Sequence, residues 1–240
     1  MSDYPMLISN KLHSFRNFHK QTSKYLFMLK ILLAVPKTIW FNFRYLPFIQ
    51  AIHLPIWIAP NCKIKVKKIK CTTYKFAAIR IGFHEVPIME PKSKTVVNGY
   101  GSIIFKGTAH IGKGTKIHVQ DGATLTLGDN FSISASSQIN CYKSISFGRD
   151  IQFSWDCLVM DSDTHNIYDE RGKRVNDDRE IVFGNKIWIG CRCTILKGSI
   201  IPNGCVIGAC SCVSGKNFEE NSIIAGVPAK SLKKIGSWKL

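Results

Sequence analysis

The sequence predicts an all-β solenoid, and three observations carry that expectation. Between Phe183 and Val213 a bulky apolar residue returns at every sixth position: Phe183, Ile189, Ile195, Ile201, Ile207, Val213. Ile187, Cys193, Ser199, Cys205 and Ser211 keep the same period four positions after members of that series. Glycine follows the apolar residue in Ile111-Gly112, Leu127-Gly128, Phe147-Gly148, Phe183-Gly184, Ile189-Gly190 and Ile207-Gly208. A helix repeats near 3.6 residues and a lone strand at about 2, so neither yields six. Three short strands joined by turns into a triangular coil do. Each hexad is then one side, its first residue points into the prism, and its small fifth residue fits where the wall bends. The glycines are expected to turn the corners at positive φ.

Residues 1–60 read as a basic, aromatic N-terminal segment. Of the net +17 carried by 240 residues, residues 1–80 hold fourteen Lys or Arg against Asp3 alone, and the remainder nineteen against fifteen acids. The hydrophobic fraction of 45% can fill a sizeable core. Tyr25 to Val35 is apolar apart from Lys30 and is followed by Pro36, too short for a bilayer span of about 20 residues. The run Trp40-Phe41-Asn42-Phe43-Arg44-Tyr45-Leu46-Pro47-Phe48, and then Trp57, suits a membrane interface. A helical cap over the open end of the solenoid is the other reading, and the two are compatible. Nucleic-acid binding is disfavoured, because the aromatics sit among Leu, Ile and Pro and no recognition motif accompanies them.

Residues 61–230 are expected to form the solenoid, with the alternating apolar and basic stretch 61–82 at its wide end. Ile111 and Ile117, then Leu127, Ile133 and Ile139, then Phe147, Phe153 and Val159 keep the sixfold spacing, with slips between runs that mark turns or bulges. The next sixfold position is His165, where the ladder stops. Residues 165–182, with nine charged side chains and Gly172, read as an excursion loop, and 231–240 as a tail. An odd count of nine cysteines and no recognisable cleavable signal point to a reducing cytoplasm. Cys157, Cys193 and Cys205 fall on the small companion position. The pairs Cys191/Cys193 and Cys210/Cys212, spaced by one residue, are expected to pack on one strand face and not to bind zinc. His13, His19, His53, His84, His110 and His118 show no metal-ligand spacing, so no metal is expected.

The chemistry is expected at Asp161-Ser162-Asp163-Thr164-His165-Asn166, where the ladder breaks. An imidazole beside a carboxylate is oriented for proton abstraction. An Asp-x-Asp pair could hold Mn²⁺ for glycosyl transfer, but that chemistry calls for an alternating strand and helix pattern that the sequence lacks. The hexads, the histidine-bearing loop, Phe183-Gly184-Asn185-Lys186-Ile187-Trp188-Ile189-Gly190 and the ending Ile224-Ala225-Gly226-Val227-Pro228-Ala229-Lys230 resemble the hexapeptide-repeat acyltransferases. The branch most similar is that of maltose and galactoside O-acetyltransferases and polysaccharide-modifying enzymes. The resemblance spans about residues 95–235. It implies a left-handed parallel β-helix and a homotrimer, with acetyl-CoA in the groove between neighbouring prisms.

The same resemblance makes His165 the general base and puts Trp188 near the acceptor; Asp163, or else Asp161, is expected to orient His165 or to bind the acceptor's hydroxyls. It places Cys191 and Ala209 along the pantetheine arm, Ser214 and Lys216 near the nucleotide, and Lys230 and Lys233 near the phosphates. In place of the family's common Thr-Lys-Asp this chain reads Ser214-Gly215-Lys216, which displaces the lysine by one. The function expected is an acetyl-CoA-dependent O-acetyltransferase acting on a sugar hydroxyl in surface polysaccharide biosynthesis. Its saccharide acceptor would be lipid-linked, and its address cytoplasmic, peripheral at the inner face of the membrane. The alternatives are N-acetylation of a nucleotide-linked amino sugar and a non-catalytic membrane-associated scaffold, which acetyl-CoA binding would separate.

Overall fold

A computed structural model describes Tyr25 and residues 28–83, 92–215 and 217–239. Helix α1 (residues 28–45) and the single turn α2 (Phe48–Ala51) precede a coil of short strands. The first two coils are β1 (Ile56–Ile58) with the long β2 (Lys63–Cys71), then β3 (Ile79–Ile81) with β4 (Val96–Phe105). Three regular coils follow: β5 (Ala109–Ile111), β6 (Lys116–Val119) and β7 (Thr124–Leu127); β8 (Phe131–Ile133), β9 (Gln138–Cys141) and β10 (Ser144–Phe147); β11 (Ile151–Phe153), β12 (Leu158–Met160) and β13 (Ile181–Phe183). The last coils hold β14 (Ile187–Ile189), β15 (Thr194–Leu196) and β16 (Ile200–Ile201), then β17 (Val206–Ile207) and β18 (Cys212–Val213). A hairpin of β19 (Ser222–Gly226) and β20 (Ala229–Lys234) closes the far end.

Strands stack in parallel on three faces. The first runs β1-β3-β5-β8-β11-β14-β17-β19. The second holds β6, β9, β12, β15 and β18, and the third β7, β10, β13 and β16. β4 turns a corner within one strand, pairing Val96–Gly99 with β6 and Ser102–Phe105 with β7, which joins the second and third faces into one sheet. The sixfold residues Phe183, Ile189, Ile195, Ile201, Ile207 and Val213 are all buried. Each lies over its counterpart one coil away, as Phe147 over Phe183 with ring centroids 4.5 Å apart.

Helix α1 does more than cover the first coil with apolar surface. Asn42 Nδ2 donates to Ile56 O at 2.7 Å, Ile56 N to Asn42 Oδ1 at 3.2 Å and Ile58 N to Thr38 Oγ1 at 3.2 Å. Tyr45 and Gln50 donate to carbonyls of Val66, Cys71 and Thr73. Side chains of the cap thus occupy the edge that a further coil would pair, which blunts an otherwise open strand edge. Among the described residues no helix is long and apolar enough to cross a membrane.

The corners correct one expectation. None of the six glycines that follow an inward residue has positive φ; the left-handed residue lies two positions later, at Gly114, Asn130, Asp150, Lys186, Arg192 and Cys210. The glycines are required instead by the next coil. A Cβ on Gly128 would overlap Gly148 O, one on Gly148 would overlap Gly184 O, and one on Gly190 would sit 2.6 Å from Ala209 N. At the companion positions small polar atoms bond corner carbonyls, Ser199 Oγ to Leu196 O at 2.6 Å and Cys193 Sγ to Gly208 O at 3.0 Å. The cysteine pairs divide at the same corners. Cys193 is buried, Cys191 and Cys212 are half-buried and Cys210 is exposed, so the two members of a pair do not share one packed face.

Asp161, expected at the acceptor, is a corner residue. It is fully buried, and its carboxylate accepts hydrogen bonds from the backbone N–H of Tyr142 at 2.6 Å, Lys143 at 2.9 Å and Ser144 at 2.8 Å. Replacing it by Ala strands three donors, at a cost on the order of 3 kcal/mol, visible as a lowered urea midpoint. Gly190→Ala is expected to lower the midpoint as well. Lys186→Gly should leave it unchanged or raise it, because an L residue in the left-handed region costs roughly 1–2 kcal/mol. Equal and large losses for both substitutions would contradict this division of labour between corner positions.

Candidate active site

After Met160 the chain leaves the prism at the corner between the second and third faces and returns at Ile181. The inward residue that follows Val159 in the stack is Phe183. His165 falls on the sixfold count, six residues after Val159, but it lies off the wall and its side chain is exposed; the length of the excursion is what returns Phe183 to phase. The excursion folds on itself, with an antiparallel bridge between Tyr168 and Arg174. Val175 N bonds Ile167 O at 2.9 Å, and Asp169 Oδ1 accepts from Arg171 N and Lys173 N, each at 2.9 Å.

The base of this hairpin is clamped by two residues that the sequence reading passed over. Asn176, 6% exposed, donates from Nδ2 to His165 O at 2.7 Å and to Asp163 Oδ2 at 2.9 Å, and accepts Ile167 N at 2.7 Å. Lys197, from the next coil, bonds the same Asp163 oxygen and reaches Asn176 O at 3.0 Å. Between clamp and histidine sits Thr164 at φ 63°, a β-branched residue in the left-handed region. Such backbone persists where the surroundings over-determine it, and it is concentrated at functional sites.

These contacts change the role read for Asp163. Its carboxylate faces the Lys197 ammonium and the Asn176 amide, which hold its pKa below the ordinary value of 3.8. A lowered carboxylate pKa keeps the clamp ionised above that ordinary value and releases it only as pH falls through the depressed one. Asp163 therefore fixes the loop. Among the described residues the imidazole of His165 makes no hydrogen bond, so its ring nitrogens are open to an incoming hydroxyl while its backbone is held.

The other expected site residues occupy two borders of the second face. Met160 stands beside Leu196, and Ile195 beside Val213. The loop base, Lys197 and Ser214 thus follow one edge over three successive coils, each rung about 4.8 Å from the last. Ser214 and Lys230 line a cavity of about 240 Å³ beyond it, together with Asn217, Phe218 and Ser231. Lys233 is exposed on β20 and does not line that cavity, and Lys216 lies outside the described residues, as do His13, His19 and His84. Cys191 and Ala209 stack on the opposite border, where Cys210 N bonds Cys191 O at 2.9 Å. Trp188 points outward from β14 on the first face, 44% exposed. Its Nε1 is 3.4 Å from Ser154 Oγ, and Trp238 of the C-terminal tail lies beside it with ring centroids 6.4 Å apart.

Among the buried thiols, Cys141 lies beside this edge, and Cys157 and Cys193 lie on the opposite border. Burial, reinforced by the Asp161 carboxylate, pushes Cys141 up to about 12; the hydrogen bond between the Cys157 and Cys193 thiols, with burial, raises Cys157, and the same hydrogen bond lowers Cys193. Among the described residues no group of three or more His, Cys, Asp or Glu is placed to hold a metal ion.

No protein-family model matches the chain. It is 31% identical over 144 residues to the "Putative lipopolysaccharide biosynthesis O-acetyl transferase WbbJ" of Escherichia coli K12, covering 56% of this chain and 72% of that one. It is also 31% identical over 199 residues to the "Uncharacterized 24.8 kDa protein in cps region" of Klebsiella pneumoniae, covering 82% and 87%. The crystal structure of the polySia-specific acetyltransferase NeuO superposes with a TM-score of 0.52 at 22% identity, over 75% of this chain and 79% of that one, and supports the fold, a left-handed parallel β-helix. With its hexad ladder, its interrupting histidine loop and a relative of this identity matched over most of its length, the chain belongs to the hexapeptide-repeat acyltransferases, on the polysaccharide O-acetyltransferase branch.

Proposed function

We propose that the chain transfers the acetyl group of acetyl-CoA to a sugar hydroxyl during surface polysaccharide assembly, with His165 as general base. The observation that carries this reading is an exposed imidazole whose backbone carbonyl is held by Asn176, on the same edge as the cavity lined by Ser214 and Lys230. Acetyl-CoA supplies an activated thioester. His165 takes the proton of the acceptor hydroxyl as that oxygen attacks the acyl carbon, and returns it to the departing sulfur, leaving an O-acetyl sugar and the free thiol. Asp163, Asn176 and Lys197 hold the loop in place. Lys230, with Lys233 and Lys216, offers ammonium groups to the phosphates, and Ser214 a hydroxyl beside them.

The assembly proposed is a homotrimer. His165 and Ser214 border one margin of the second face, Cys191 and Ala209 the other, and Trp188 belongs to the first face. One extended donor can be bordered by both sets if they come from adjacent chains. The acceptor proposed is a lipid-linked saccharide, and the address the cytoplasmic, inner face of the membrane. Nine free cysteines and a basic first coil support that address.

Calorimetry with acetyl-CoA tests the donor, and a flat titration would refute the enzyme reading. His165→Ala should keep the binding heat and lose turnover by roughly 10²–10⁴-fold; undiminished turnover would remove the base from His165. Neutral oligosaccharides should release CoA where nucleotide-linked amino sugars do not, and the opposite preference would make the reaction N-acetylation. Asn176→Ala is expected to lower kcat about 10–100-fold at nearly constant donor affinity, by analogy with the cost of small misplacements of reacting groups. Lys197→Arg should retain more activity than Lys197→Ala. Mixing unfolded His165→Ala and Trp188→Ala chains and refolding them together should restore part of the activity if sites form between chains, and none if each site is internal.

A further inference from the structure

Helix α1 is apolar on both sides. Ala34, Thr38, Phe41 and Asn42 are buried against the first coil. Half a turn away Leu29, Leu33, Pro36, Trp40 and Phe43 follow one another at helical spacing, and all five are exposed, Leu33 and Trp40 at 60% each. Phe48 at 71% and Ile49 at 69%, on α2, extend the same apolar surface. An amphipathic helix of a soluble domain normally presents its polar face to water. Here capping has used one face, and the second is a contiguous apolar surface of the kind that marks an interaction site.

The stretch of chain that carries this surface and the coil beneath it is basic. Residues 28–83 contain ten Lys or Arg and no Asp or Glu. Lys63, Lys65, Lys67, Lys68 and Lys70 are exposed along β2, which runs around the perimeter of the first coil directly under the cap. One of them, Lys67, faces Asp121 of a later coil at 3.5 Å. An apolar plane at the end of a prism, ringed by ammonium groups on flexible stems, matches the interfacial layer of an anionic bilayer. Side chains such as Leu33 and Trp40 enter the acyl boundary, and the lysines reach the phosphates.

We infer that the outward face of α1, continued by α2, docks the solenoid end-on onto an anionic lipid surface, with the prism axis steep to the membrane. The inference rests on the membrane address proposed above and assigns it a surface. A second copy of this chain would bring the basic rings of both molecules together, so charge favours lipid over self-association. The geometry also sets a distance. The loop of His165 lies four coils from β1, about 19 Å along the axis at one rung per coil, so a saccharide displayed above the headgroups would meet it.

The test is co-sedimentation of the full chain with phosphatidylcholine vesicles with and without phosphatidylglycerol, at low and high salt. Binding should require phosphatidylglycerol and weaken as salt rises. Leu33→Glu and Trp40→Glu should abolish it while leaving acetyl transfer to a soluble saccharide unchanged. Lys65→Gln and Lys68→Gln should each lower the affinity about fivefold, the equivalent of about 1 kcal/mol. Wild-type affinity in Leu33→Glu and Trp40→Glu would overturn the inference. So would loss in those variants of a self-association that the wild type shows without lipid, which would make the surface an interface between copies. Because transfer to a soluble acceptor is read separately, failed docking with intact activity sinks the docking alone, and absent activity with intact docking sinks the catalytic reading alone.

Discussion

The stacking of each coil directly on the next, backbone to backbone at the corners, is the constraint on which the rest of this molecule depends. Parallel strands a rung apart bury alternate residues of each side and leave no room for a side chain where the chain bends. Gly128 lies against Gly148 and Gly148 against Gly184 for that reason. The same closeness explains the companion residues, whose hydroxyls and thiols bond corner carbonyls instead of filling space. The left-handed turn residue, by contrast, tolerates Lys186, Arg192 or Asp150, whose side chains leave the corner sideways: Asp150 accepts from Asn130 of the neighbouring coil at 2.8 Å, and Arg192 faces Asp156 at 3.5 Å.

A wall so regular makes any insertion visible, and rigid at its base. The excursion after Met160 starts and ends on the same rung, so its feet are fixed by the coils on either side. Asp161 ties the near foot to the corner at residues 142–144, and Lys197 ties the loop to the coil beyond. Asn176 links both feet to the backbone of His165. A general base needs its position defined more than it needs an elaborate partner, because misplacement by about 1 Å is enough to lose much of the rate. At His165 the backbone carbonyl is held by Asn176 and the imidazole makes no hydrogen bond among the described residues, an arrangement that would suit the base proposed above.

The architecture was legible in the sequence because a six-residue period has few explanations, and the inward positions it named are the buried ones. The glycines were legible as corners, though for a different reason than positive φ. A sequence shows that a residue lacks a side chain, but the atom that would collide with one belongs to another coil. His165 lies on the sixfold count but not on the wall, so the count does not mark a stacked position; the cue for the role proposed above is its place beside acidic residues where the ladder breaks. Asn176 and Lys197 were not legible. They lie well apart along the chain and meet Asp163 only through the return of the loop and the stacking of the next coil. Asp161 was misread for a related reason, because its donors come from the corner of the preceding coil.

The N-terminal segment left two readings open, a cap and a membrane surface, because a helix apolar on every side satisfies the composition expected of either. In the structure one side of the helix caps the coil, and the opposite side is the exposed apolar surface for which docking is proposed. Thr38 and Asn42 are polar residues in an apolar run, and they are spent on the unpaired edge of β1. Had the helix been only a cap, Leu33, Trp40 and Phe43 could have been polar at no cost to the solenoid, since they touch solvent. Exposing them carries a penalty of roughly 25 cal/mol per Å² of apolar area not removed from water. The edge of β1 explains the inward face of the helix, and nothing in the described coil covers the outward face, which is why that face carries the docking proposed above.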